Sequence, residues 1–179
     1  MAIRGPFGVE KPITAKNVGT VAAGSTVVEY GDGTKHQSVI TVDTTLGDIP
    51  GGAELSLGKL VYTFPAGAVD VKSTYMSMAL QQTDGNITSD TPDIGIGTTV
   101  AAGVNDELSD TGSAENMLTG VAADDCDGTA EVSHVATSLV IATAGDHTVY
   151  FNVAYDWTAS GDDACGIAGT IIIEWTFVV

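Results

Sequence analysis

Beyond Lys72 the chain has no lysine and no arginine, although 107 of its 179 residues follow that point. The six cations are Arg4, Lys11, Lys16, Lys35, Lys59 and Lys72; seven acids share the first 72 residues with them, and sixteen more follow. The formal net charge of −17 therefore divides into about −1 before Ser73 and −16 after it. A surface without cations cannot neutralise a phosphate backbone, so nucleic acid is not an expected partner. Only the N-terminal segment can meet an acidic surface through charge. Long apolar runs are also missing. None approaches the ~18 residues of a membrane helix, so no membrane partner is expected. The opening Met1-Ala2-Ile3-Arg4-Gly5-Pro6-Phe7 lacks the apolar core of a signal peptide, which points to synthesis in the cytoplasm.

Signatures of catalysis are absent as well. His36, His134 and His147 are isolated, and none belongs to a His-Glu-x-x-His pattern, so a zinc hydrolase has no support. There is no Gly-x-Ser-x-Gly elbow. Gly95-Ile96-Gly97-Thr98-Thr99 lacks the lysine of a phosphate loop and no helical pattern follows it, so its glycines are expected to mark a bend or bulge. Asp106 and Asp110 have the spacing of a conceivable glycosidase dyad, but in a chain this acidic such pairs are inevitable. No enzyme is expected.

What the chain does have is strand. Thr, Val, Gly and Asp dominate, and 44% of residues are hydrophobic, so the acidity belongs to a folded body. Val149, Phe151, Val153, Tyr155 and Trp157 alternate with Tyr150, Asn152, Ala154 and Asp156, and Ile171, Ile173, Trp175, Phe177 and Val179 with Ile172, Glu174, Thr176 and Val178. Period two puts one row on a core face and the other outward. Both tryptophans fall on the core rows. The acidic linker 159–166 is expected to join these two strands as a hairpin. Earlier strands are expected at 26–30, 37–42, 55–64, 69–81 and 132–142, with Asp32-Gly33 turning the first pair. Within 69–81 the apolar phase slips from odd to even near Ser73-Thr74, which predicts a β-bulge or a corner. Ser113 to Gly120 has a capping residue, an early acid and a terminal glycine, and predicts one short helix. The expected architecture is all-β: an antiparallel, jelly-roll-like β-sandwich over 25–179 with an extended N-terminal arm over 1–24. The arm carries Arg4, Lys11 and Lys16, with Phe7, Ile13 and Val18 as apolar anchors, while Pro6 and Pro12 keep it out of strand interiors.

Two acidic loops each enclose a cysteine: Asp124-Asp125-Cys126-Asp127 and Asp162-Asp163-Ala164-Cys165. If Cys126 and Cys165 pair, the bridge closes a loop of about forty residues, worth roughly 3–4 kcal/mol on loop-entropy grounds. The carboxylates of Asp124, Asp125, Asp127, Asp162 and Asp163 would then converge as hard oxygen ligands suited to Ca²⁺. The rival reading is two solvated loops with unrelated thiols and no cofactor.

Two segments, Val27-Val28-Glu29-Tyr30-Gly31-Asp32-Gly33-Thr34-Lys35-His36 and Lys59-Leu60-Val61-Tyr62-Thr63-Phe64-Pro65-Ala66-Gly67-Ala68-Val69, together with the Trp-bearing C-terminal strands, carry a resemblance to virion structural proteins of tailed bacteriophages, particularly marine ones. The resemblance implies a capsid-decorating or cementing β-sandwich located in the virion. It further implies the major capsid protein as partner and a homo-oligomer, often a trimer. A tail-tube or head–tail connector protein and a carbohydrate-binding β-sandwich are the alternatives.

Overall fold

In a computed structural model of the chain, the described residues are 19–31, 35–49, 55–82, 87, 90–104, 106–123, 125–142, 147–157 and 163–178. Through them run the strands β1 (Thr20–Val21), β2 (Ser25–Gly31), β3 (Lys35–Ile49), β4 (Ser56–Thr63), β5 (Val69–Gln82), β6 (Asp93–Gly97), β7 (Leu118–Ala122), β8 (Asp127–Ile141), β9 (Thr148–Ala154) and β10 (Asp163–Phe177). They form two five-stranded sheets, ordered β2-β3-β10-β5-β8 and β1-β4-β9-β6-β7.

The topology is one long hairpin rolled up. β6 pairs with β7, β5 with β8, β4 with β9 and β3 with β10, all antiparallel. The chain thus runs outward along β3–β6 and returns along β7–β10. Rolling this ribbon sets β10 beside β5 and β9 beside β6, and divides the pairs alternately between the two sheets. That arrangement is a jelly roll, so the all-β sandwich expected from the alternation is what the chain forms. β2 extends one sheet beside β3, and β1 extends the other beside β4.

The core lies between the sheets. Ile40, Met76, Ile171 and Trp175 from one sheet, and Val61, Ile96, Phe151 and Val153 from the other, belong to one buried apolar cluster. Trp157 and Trp175 are both buried, as the alternation implied. The slip in β5 is real. Val69 and Val71 are buried, Lys72 is exposed, and Thr74, Met76, Met78 and Leu80 are buried in the opposite phase. The pairing with β10 shifts register there: Val71 and Ser73 face the adjacent Trp175 and Glu174, so Lys72 is the extra residue, and that is the bulge that the change of phase requires.

Two expectations are corrected and a third is met in part. First, β9 and β10 are not a hairpin, because they lie in different sheets. Second, Ser113–Gly120 is not a helix. Its backbone bonds go to β6 and the loop beyond it: Met117 N–H donates to Ile96 O at 3.0 Å, and Thr98 N–H to Ser113 O at 3.0 Å. Leu118 opens β7, and the helical residues nearby are a single 3-10 turn at Leu108–Thr111. Third, Gly95 and Gly97 make no bend, being buried within strand β6, but Gly95 does sit at a bulge, since the pairing with β7 shifts register between Ile94 and Ile96. A Cβ on Gly97 would overlap the backbone of Ser113 and Ala114, so the missing side chain is what lets this loop lie on the strand.

Candidate docking edge

The described chain begins at the outer edge formed by β1 and β2, and there a polar network crosses the sandwich. Trp175 Nε1–H on β10 donates to Ser38 Oγ on β3 at 2.9 Å. Ser38 Oγ–H donates to Tyr62 Oη on β4 at 3.2 Å. The Tyr62 hydroxyl donates in turn to Glu29 Oε1 on β2. Gly19 N–H donates to the same carboxylate oxygen at 3.2 Å. The residues reach one another because each sits on an inward row, and all four side chains are buried. Burial is the main reason that the Glu29 carboxyl is held above its usual range, with the bonds from Tyr62 and Gly19 opposing it. Burial and the neighbouring Glu29 charge push the Tyr62 hydroxyl upward too.

Gly19 is fitted to this place. A Cβ there would overlap the Tyr62 hydroxyl and the Thr63 carbonyl, so the incoming chain can pass this close only as glycine. Beyond the network, His36 stacks on Trp175 with ring centroids 4.1 Å apart and an interplanar angle of 11°. Phe64 and Phe177 meet the same indole edge-on. A groove of about 360 Å³ opens over these rings, lined by Lys35, His36, Gln37, Lys72, Glu174, Trp175 and Thr176. Glu174 is fixed by Gln37 Nε2–H at 3.5 Å and Ser73 Oγ–H at 3.0 Å, and Lys72 pairs with Asp70. Trp175 thus belongs both to the groove and to the network that pins Gly19. Two of the three cations that follow the arm line this one groove.

Elsewhere the surface is acidic. A second cleft, about 370 Å³, is lined by Thr91, Asp93, Asp106, Glu107, Ala122, Ala154, Tyr155 and Asp156. The Asp93 carboxyl is held above its usual range, mainly by burial and then by the Glu115 charge. This cleft has no cation, histidine or cysteine among its lining residues. Asp106 belongs to it and Asp110, on the 3-10 turn, does not, so the two are not brought together there.

The arm residues Arg4, Phe7, Lys11, Ile13, Lys16 and Val18 lie outside the described residues, as do Asp124, Asp162 and the side chain of Asp163. Gly19 to Gly24, assigned to the arm from the sequence, already join the body, with Thr20 and Val21 paired to Thr63 and Tyr62. Cys126 and Cys165 are brought near one another, both buried and unbridged; Cys126 Sγ–H donates to Asp90 O at 3.7 Å and Cys165 Sγ–H to Gly166 O at 3.6 Å. The neighbouring Cys165 thiol and then burial push the Cys126 thiol upward. Asp127 is exposed, and the Thr129 side chain and then the Thr129 N–H, which donates to it at 2.8 Å, hold its carboxyl below the usual range. Among the described residues, no group of three or more His, Cys, Asp or Glu side chains is placed to hold a metal ion. Nor does any described helix have the length and apolarity to cross a membrane. The Glu29–Tyr62–Ser38–Trp175 network escaped sequence reasoning, although Glu29 on an otherwise uncharged strand was a signal that it faces a buried partner.

No protein-family model matches the chain, and no curated protein does. Two solved structures are similar to it in part. One is an arabinose-bound α-L-arabinofuranosidase, at 12% identity and a TM-score of 0.34, covering 92% of this chain and 24% of that one. The other is the structure of infectious bursal disease virus, Gx strain, at 11% identity and a TM-score of 0.27, covering 88% of this chain and 36% of that one. The chain spans well under half of either, and likenesses this faint carry no argument about activity.

Proposed function

We propose that this chain is a non-enzymatic structural protein that decorates or cements a tailed-bacteriophage capsid, held to the major capsid protein at its N-terminal edge. The observation that carries the reading is the junction of Gly19, Lys35 and Lys72 around Trp175. The chain arrives at Gly19 pinned to Glu29, and Trp175 links that pin to a groove holding two of the remaining cations. The rest of the body is an acidic jelly roll. Such a molecule is polarised: one edge meets a negatively charged shell, and the cation-free body stays in solution. The resemblance of the Val27–His36 and Lys59–Val69 segments to phage virion proteins supports the same reading. The residues that precede Gly19 in the sequence carry Arg4, Lys11 and Lys16, with Phe7, Ile13 and Val18 proposed as apolar anchors.

The test is capsid occupancy. Purified shells lacking the protein are mixed with the full chain or with a chain lacking residues 1–18, and bound protein is quantified after sedimentation. The full chain is expected to bind and the shortened chain to lose most occupancy, with binding weakened by added salt. Undiminished occupancy by the shortened chain overturns docking through this edge.

A further inference from the structure

The edge of the sandwich away from the arm has an unusual strand. β8 spans Asp127–Ile141 and closes its sheet, with β5 on one side and no described strand on the other. Sheet edges are open templates for pairing, and proteins blunt them with short strands, lysine, proline or bulges. The other outer strands are short: β1 has two residues, β7 five and β2 seven. β2 is also flanked by the incoming chain, with Gly19 N–H bonded to the Glu29 side chain and Ser25 N–H to Ala22 O. β8 has fifteen residues, with neither lysine nor proline among them. It has been blunted only by bulges. Its pairing with β5 shifts register opposite Val71/Ser73 and opposite Ala79/Gln81, and between these shifts Ala130 to Ala136 pair without interruption. Seven residues of regular edge are left. Their outward row is exposed, and Val132 on it is 59% exposed.

We propose that this window pairs, antiparallel and about a two-fold axis, with the same window of a second copy. The sequence of the window is what selects this occupant. About an axis at Ser133, Ala130 meets Ala136, Val132 meets His134 and Glu131 meets Val135, so the window's one acid never faces its copy. A like-charged strand with acids along its length would repel itself; this one is self-complementary. The cationic arm of a neighbour is the other candidate from this chain, but Pro6 and Pro12 each remove a ladder donor from it. A self-complementary edge builds a closed two-fold pair, not the trimer that the family resemblance implies. The contact is small, so the pair is weak and depends on concentration. It is also opposed by two bodies that each carry −17. Salt screens that repulsion, so association strengthens as salt is added, whereas arm-to-body binding would weaken. Nothing in this inference depends on what the opposite edge binds.

Sedimentation equilibrium of the full chain at about 0.02 M and about 0.5 M NaCl tests it, with ionic strengths chosen on either side of effective screening. The expected result is a monomer–dimer equilibrium shifted toward dimer at the higher salt. Val132→Asp is expected to weaken dimerisation by about tenfold or more, since about this axis the two introduced acids are diagonal neighbours on one face of the paired edge. Val28→Asp, 51% exposed on the opposite edge strand, is expected to leave it unchanged. Unfolding curves of both variants verify that each retains its fold. A monomer at every concentration and salt overturns the proposal, as does association weakened by salt, or association abolished by Val28→Asp and not by Val132→Asp.

Discussion

Individual residues carry much of this molecule's specificity, because several polar side chains are buried in an otherwise apolar sandwich. Asn152 is fully buried on β9. Its Nδ2 donates to Thr99 O at 3.0 Å and Ala114 O at 2.7 Å, and its Oδ1 accepts Ala101 N–H at 2.8 Å. One side chain therefore ties both ends of the 98–116 loop to the second sheet. Asn152→Ala strands these groups away from water, and a loss of about 3 kcal/mol in urea-unfolding free energy is expected. Glu29 makes a different prediction. Its folded-state carboxyl is raised by burial, so the native state holds the proton more tightly than the unfolded chain does. The stability contributed by that group is complete below the ordinary carboxylate pKa and is lost as pH rises through the raised native value. Gln at this position stays neutral and still accepts from Tyr62 and Gly19. The stability of Glu29→Gln relative to wild type is expected to improve as pH is raised from about 4 toward 8, in the window that linkage defines. Denaturant midpoints across that range measure it; a relative loss with rising pH would mean that Glu29 is stabilised as an anion.

At the scale of elements, what could be read from the sequence followed the clarity of the alternation. β5 and β9 were legible because apolar residues recur every second position against polar neighbours, and the bulge in β5 was legible because Val71 and Met76 break phase. β6 and β7 were not. β6 is five residues with two glycines, and its buried face is completed by a loop and not by its own side chains. Ser113–Gly120 has helix-capping residues, but its donors and acceptors are taken by β6 and the loop beyond it, a tertiary contact that no local pattern announces. Of the candidate site, the cations were visible in the sequence and the buried network was not, since Trp175, Ser38, Tyr62 and Glu29 come from four strands. The β6 account can be checked at Gly97. A methyl there meets backbone atoms of Ser113 and Ala114, which cannot swing aside as a flexible side chain would. Gly97→Ala is expected to cost about 1–3 kcal/mol, read as a lowered urea midpoint with little change in slope. A neutral substitution would mean that the 108–116 loop does not rest on β6.

Across the whole molecule the charge distribution and the fold point the same way. The jelly roll supplies a closed apolar core from two sheets, and that core holds together a body with sixteen acids and no cation after Lys72. Among the described residues, all of those acids except the buried Asp90 are exposed or half-buried, so they add to solubility while repelling one another across the surface. The three cations on the described strands cannot offset them: Lys72 is already paired with Asp70, and Lys35 lines the groove beside it. The core must therefore work against a self-repulsion that depends on ionic strength. The Debye length falls from about 30 Å at 0.01 M salt to about 8 Å at 0.15 M and about 3 Å at 1 M. Most of the relief should come in the first of these intervals, where screening begins to act between neighbouring strands. The melting temperature is accordingly expected to rise by several degrees between about 0.01 M and 0.15 M NaCl, and to change much less from there to 1 M. Differential scanning calorimetry at low protein concentration, where the chain is monomeric, separates this effect from self-association. A melting temperature indifferent to salt below 0.15 M would mean that the acids are spaced widely enough not to interact, and the acidity would then tax the fold very little.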